Sequence, residues 1–343
     1  MDIDEIKEKY LYIFSDCFLV KGFTRTMIFD ISKRRIFFVN NSYYDLIENY
    51  RNHTIGSILI RLENQDDIKE YSKFIDYILK NDLGAIVDDI KRFPKINIEW
   101  DAPYDILNAI IDIRNKIHPF KKIFYELDQL NCPYIQIRVY RSISAKELNV
   151  ILSDTKNCNF RHIELILKSN NEHSYNEYIE ILQQFPLCSI VFHSQKKSIS
   201  DAVIQKLRLY GIQFTAQEII SNECCGIINK ESLALRDLQG FIENMKYNSC
   251  LNRKISIDEE GNIKNCPSMK YSFGHIEKIS LQKIYNREDF TKVGQITKDQ
   301  IDVCKDCEYR YVCSDCRAIV SEPNNLYSKP KKCGYDPYKG KWE

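Results

Sequence analysis

Apolar and polar positions along this chain change their period twice, which divides it into three zones. In residues 1–95 short β-like runs come first: Asp16–Val20, Arg25–Asp30 and, after the turn Ser32-Lys33-Arg34, Arg35–Val39 as the second arm of a hairpin. Asn40 or Asn41 then caps a helix carrying Tyr44, Leu46 and Ile47, and Thr54 caps another carrying Ile55, Ile58, Leu59 and Leu62. A third helix is predicted over Asp67–Asn81, where Ile68, Tyr71, Phe74, Ile75, Ile78 and Leu79 form one stripe. Small strands followed by three helices predict a winged-helix-like α+β domain.

Residues 96–220 alternate differently. Strand-like runs fall at Ile96–Trp100, Tyr134–Tyr140, Ile163–Leu167, Ser189–His193 and Ile212–Thr215, with helical segments at Ala145–Leu152, Tyr175–Phe185 and Ala202–Tyr210. Strand–helix–strand alternation implies parallel pairing through right-handed crossovers. A complete (β/α)₈ barrel takes roughly 250 residues, so this stretch predicts a partial one. Residues 221–343 are rich in turns and cysteine and poor in apolar runs. Such a segment builds little core by itself and needs metal to hold it.

Composition narrows the chemistry. The chain has 343 residues and a net charge of +1, so no global field draws it to nucleic acid or to anionic membranes. Residues 1–95 carry 15 Lys and Arg against 16 Asp and Glu, which removes the basic footprint of a DNA-binding winged helix. No signal-peptide pattern and no membrane-length apolar run is visible, which predicts a cytoplasmic protein. In that compartment structural disulfides are rare, so metal is the better reading of the cysteines.

Nine of the thirteen cysteines lie beyond residue 223. Cys250 is followed by ten residues, Gly261, four residues and Cys266; then come Cys304-x2-Cys307-x5-Cys313-x2-Cys316 and Cys333. Seven thiolates at these spacings nearly supply two [4Fe-4S] clusters of four ligands each; Cys₄ zinc sites are the alternative. The array resembles the SPASM domain that follows the barrel in many radical SAM peptide-modifying enzymes, although that family usually places three residues, not two, between the cysteines at 313 and 316. The resemblance implies one cluster on Cys304, Cys307, Cys313 and Cys333. It implies a second on Cys250, Cys266 and Cys316, with Cys224 or Cys225 as a further ligand or an open iron site.

Radical SAM chemistry also needs Cys-x3-Cys-x2-Cys after the first barrel strand. Asp101–Leu130 contains no cysteine, and the chain has no Gly-Gly pair for that family's methionine-binding loop. The barrel is therefore read as a degenerate radical SAM-like barrel that uses no S-adenosylmethionine. Asn248–Asp258, Gly261–Met269, Cys304–Tyr311 and Asp315–Ala318 together are similar to the SPASM-domain peptide maturase of the grasp-with-spasm system. That family implies a precursor peptide and an ATP-grasp ligase as partners in ribosomal peptide biosynthesis. The first domain then resembles the PqqD-like element that binds leader peptides by strand addition. Arg35, Phe37 and Val39 are the candidate edge, with Tyr71 and Phe74 on the facing helix. Two rival readings stay open: an enzyme using its clusters for redox or Lewis-acid chemistry, and a zinc-stabilised winged-helix regulator.

Overall fold

The computed structural model describes residues 4–62, 64–169, 175–195 and 199–343. The first region begins with a two-stranded antiparallel pair, β1 (Tyr10–Ile13) and β5 (Gly84–Val87). Between them in sequence lies a three-stranded antiparallel sheet of β2 (Cys17–Lys21), β3 (Thr26–Asp30) and β4 (Arg35–Val39), with β3 central. Helices α1 (Asn41–Tyr50), α2 (Ile55–Leu59) and α3 (Gln65–Lys80) follow. Each starts on a side-chain cap: Asn40 accepts from the Ser42 amide, Thr54 from Ser57 and Asn64 from Asp67. Cys17, Ile28 and Val39 pack against Ile47, Tyr71, Phe74 and Ile75 to make the core of this region.

The other face of the same sheet is buried as well. Val20, Met27 and Phe29 pack on Phe241, Tyr309, Val312 and Tyr335 of the cysteine-rich region. The β2–β3 turn is fastened there through its main chain: the Phe23 amide donates to the Asp306 carbonyl at 2.7 Å, and the Arg310 guanidinium donates to the Lys21 carbonyl at 2.7 Å. A Cβ on Gly22 would come within 2.8 Å of the Glu308 nitrogen, so only glycine allows this approach. Glu308, with no exposed surface, takes 2.7 Å and 2.5 Å bonds from Arg25 and Tyr335.

The middle region supplies five parallel strands: β6 (Asn108–Ile113), β7 (Tyr134–Val139), β8 (His162–Lys168), β9 (Cys188–His193) and β10 (Ile212–Phe214). Helices α4 (Phe120–Gln129), α5 (Ala145–Ser153), α6 (Tyr175–Gln184) and α7 (Asp201–Leu209) connect them in turn. The sheet does not stop at β6. From the cysteine-rich region β11 (Lys254–Ile257) pairs parallel with β6, and β12 (Asn262–Lys264) and β13 (Gly274–His275) continue antiparallel. The result is one open, mostly parallel eight-stranded sheet of order β10-β9-β8-β7-β6-β11-β12-β13. The cysteine-rich region adds α8 (Leu238–Lys246), short turns of helix and a terminal pair, β14 (Tyr335–Asp336) and β15 (Lys341–Trp342).

Two sequence expectations need correction. Ile96–Trp100 has strand alternation but joins no ladder; Ile98 is 39% exposed and no neighbouring strand reaches the segment. The first parallel strand is instead Asn108–Ile113, followed by α4. That strand is buried from Ile111 to Ile113 because β7 and β11 flank it on both sides. The residues after it, Arg114–Pro119, hold no cysteine. Among the described residues no helix is long and apolar enough to cross a membrane.

The sheet has two unlike faces, because successive strand residues point to opposite sides. Ile111, Ile137, Leu165, Ile190 and Phe192 share one core with α4–α7. The opposite face carries polar groups: Gln136 donates to Glu164 at 2.6 Å, and the His162 ring lies 2.9 Å from the Ser189 hydroxyl. Near the carboxyl ends of β6 and β7, Arg138 donates to both oxygens of buried Asp112 at 2.6 and 2.8 Å, and Tyr140 adds a bond of 2.7 Å.

Candidate iron–sulfur centres

Four thiols line one cavity of about 30 Å³: Cys304, Cys307, Cys313 and Cys333. Cys304 and Cys307 sit on a single turn of 3₁₀ helix and the residue that ends it. The turn begins at Val303, whose φ of +67° is a strained conformation for a β-branched residue. Leu233, Tyr309 and Trp342 close the walls. Burial pushes the Cys313 thiol up to about 12 and the Cys304 and Cys307 thiols well above their usual range, with neighbouring thiols adding to each. A cation that binds these groups as thiolates must therefore displace protons.

The cavity also receives a buried ammonium. Lys298 is 1% exposed and lines the same wall. Its Nζ donates to the Asn244 carbonyl at 3.1 Å, and no carboxylate among the described residues lies within ion-pair distance. Burial pushes its pKa down, while Asp315, Cys313 and Cys304 push it back up. An ammonium held out of water without a counter-ion is costly. A cluster bound by four thiolates is anionic and would supply that charge, so the donor set and the cation fit an iron–sulfur group.

Cys225, Cys250, Cys266 and Cys316 form a second group. Burial raises the buried Cys266 thiol to about 11, and the Cys250 and Cys225 thiols add to it; burial likewise raises Cys316, with Cys250 and Cys225 again adding. A Cβ on Gly226 would stand 3.1 Å from the Cys316 sulfur. The Lys254 ammonium lies 3.8 Å from the Cys250 sulfur. Of the two upstream candidates it is Cys225, which is exposed, whose thiol is felt by the other members; Cys224 contributes its carbonyl to Gln217. The four remaining thiols, Cys17, Cys132, Cys158 and Cys188, belong to or pack against apolar cores.

Asp315 joins the two groups, lying between Cys313 and Cys316 at φ +57°. Its amide faces the Cys313 sulfur at 3.4 Å, and its carboxylate takes 2.6 Å bonds from Asn248 and from Arg317. That left-handed turn lets two intervening residues serve where the resemblance leads one to expect three. Cysteine spacing gives no sign of Lys298, Asp315 or Arg317; a lysine and an arginine inside a cysteine-dense stretch are the nearest signal. Among the described residues no three Cys, His, Asp or Glu side chains meet closely enough to hold a single metal ion.

The candidate peptide-binding residues are more dispersed. Arg35 is exposed and paired to Asp30 at 3.0 Å, and Phe37 sits edge-on to Tyr77 with centroids 6.5 Å apart. Val39, Tyr71 and Phe74 are buried in the first region's core, with Phe74 stacked on Tyr43 at 4.4 Å. β4 is an edge strand, paired on one side only. No curated protein matches the chain. Residues 249–308, which hold Cys250, Cys266, Cys304 and Cys307 together with strands β11 to β13, match the SPASM family, an iron-sulfur cluster-binding domain.

Proposed function

We propose that this protein is a maturation factor of ribosomal peptide biosynthesis that carries two [4Fe-4S] clusters, binds a precursor peptide and acts beside an ATP-grasp ligase in the cytoplasm. The observation that carries the cluster assignment is the cavity in which four thiols and the Lys298 ammonium meet. Cys304, Cys307, Cys313 and Cys333 would hold one cluster, and Cys225, Cys250, Cys266 and Cys316 the other. Bound clusters supply one-electron chemistry or, in a structural role, cross-links. Lys298 lines the first site, where its charge would offset that of a bound cluster, and the Asp315 amide faces the Cys313 sulfur.

Radical SAM chemistry is not part of this proposal. The loop after β6 carries Arg114, which pairs with Glu259 at 2.5 Å and lies over the Tyr140 ring at 5.2 Å. That loop, Arg114–Pro119, contains no cysteine, which supports this reading. Anaerobic purification tests the reading. Iron and acid-labile sulfide at about eight each per chain are expected. Stoichiometric zinc without iron would sink it. Failure of a co-expressed ATP-grasp ligase and precursor to co-purify with the chain would remove the pathway assignment alone.

A further inference from the structure

Another cavity is lined by none of the nine cysteines beyond residue 223. It lies in the first region, measures about 550 Å³ and falls in the range of about 300–1,000 Å³ typical of ligand sites. Four consecutive residues of β1 and its end, Leu11–Phe14, border it, and so do Cys17, Phe18 and Leu19 of β2. Consecutive strand residues point to opposite faces, so a cavity touched by all of them lies off the strand edges. Those edges are bare: β1 pairs only with β5, and β2 only with β3.

The opposite wall is the segment whose strand pattern found no ladder. Phe93 stacks on Tyr12 with centroids 4.5 Å apart, and Ile96 and Ile98 line the cavity. No backbone hydrogen bond joins residues 95–100 to a strand among the described residues. Three stretches of extended backbone thus border one apolar slot without forming a ladder with one another, although the Phe14, Cys17 and Glu99 amides have hydrogen-bond partners. The polar rim is cationic. Lys95 has no ion pair among the described residues, Arg51 is neutralised by Glu48 at 2.6 Å, and the His53 Nδ1 is buried without a partner.

We propose that this cleft binds an extended peptide segment that enters as an added strand, with apolar residues at alternate positions and a carboxylate side chain opposite Lys95. Unpaired main-chain edges select a peptide over an apolar small molecule, because a strand satisfies donors and acceptors that a hydrocarbon leaves open. The inference rests on the peptide-binding part of the proposed function and gives that part a location on β2 and residues 95–100 instead of β4.

The test uses the full chain, with iron and sulfide measured on the same preparation. The probe is a short peptide alternating Val with Thr and Glu, and the control is the same composition in scrambled order. Binding is read by fluorescence anisotropy and by hydrogen exchange. The alternating peptide should bind and should protect amides in Cys17–Lys21 and Lys95–Glu99. Ile98→Pro removes one donor from an exposed extended segment, and Lys95→Glu reverses the rim charge; each should weaken binding about tenfold or more, with an unchanged circular dichroism spectrum. Lys121→Glu, at an exposed position on α4 that does not line the cleft, should leave binding unchanged. Equal binding of the scrambled peptide, protection confined to Arg35–Val39, or no binding to iron-loaded protein overturns the cleft assignment. Iron-free protein that still binds the peptide at Lys95–Glu99 supports the cleft while sinking the cluster reading.

Discussion

The two thiol groups interleave along the chain, with only Ser314 and Asp315 between Cys313 of one and Cys316 of the other, yet they face different surroundings. The group at Cys304, Cys307, Cys313 and Cys333 lies under a roof formed by the β2–β3 turn, with Phe23 bonded to Asp306 and Arg25 reaching buried Glu308 next to Cys307. The group at Cys225, Cys250, Cys266 and Cys316 keeps one exposed member, Cys225, and Arg138 on the polar side of the sheet feels that thiol. One set is built into the junction between regions; the other opens toward solvent and toward a polar sheet face. Cysteine spacing therefore gives no sign of the difference in access, and access separates a structural cross-link from a site that small molecules can reach.

The sharpest way to break this comparison is Cys307→Ala. It should remove one cluster, lower iron to about half and destabilise the protein by more than about 4 kcal/mol, since loss of a folding-coupled metal belongs with the severest substitutions. Exchange at Lys21–Thr26 should rise with it. If that hairpin keeps its protection in iron-depleted protein, the roof does not depend on the first cluster. Arg25→Ala comes next. It leaves the Glu308 carboxylate buried beside Cys307 with only the Tyr335 bond, at a cost of about 3 kcal/mol in denaturant melts. Arg25→Ala combined with Glu308→Gln should recover part of that loss.

Lys298→Met should act with opposite signs on the two states. The iron-free protein gains about 1–3 kcal/mol by losing a buried ammonium. The iron-loaded protein should release iron faster to a chelator, because the anionic site has lost its counter-charge. A variant that loses stability in both states would mean that Lys298 is held by its Asn244 bond and not by the site. The smallest stability effect is expected at the exposed position. Cys225→Ser should change stability by less than about 1 kcal/mol while altering the electron paramagnetic resonance signal of the second cluster, and Cys224→Ser should alter neither. Reversed behaviour of that pair would exchange their roles. On either variant or the parent, incubation with reductant and S-adenosylmethionine should give no 5′-deoxyadenosine above background.

Elements with strong local signals were legible in the sequence. Asn40 and Thr54 mark their helices by capping, and Tyr134–Tyr140, Ile163–Leu167 and Ser189–His193 mark buried strands by apolar content. Asn108–Ile113 escaped because its burial comes from β11, contributed by residues far along the chain, and no local feature announces that partner. Ile96–Trp100 misled for the complementary reason: alternation records a preference for strand geometry but not whether a neighbour exists. The membership of the first thiol group came from the family resemblance and not from spacing alone, and those four thiols line one cavity. The resemblance left Cys224 and Cys225 equivalent, and the structure separates them because only the Cys225 thiol acts on Cys266 and Cys316.

The parallel pairing of β11 with β6 bears on the order in which the protein is made. Ile111 lies opposite Ile257, so one strand leaves the ribosome long before its neighbour. Until then the outer edge of β6 is a bare template in the middle of an apolar sheet, the kind of surface on which nascent chains stick to one another. The segment that covers it begins just after Cys250 and ends just before Cys266. On the proposed cluster assignment, iron supply during synthesis would set how quickly that edge is sealed, and cells starved of iron should accumulate this chain as aggregate before they show any deficit in its chemistry.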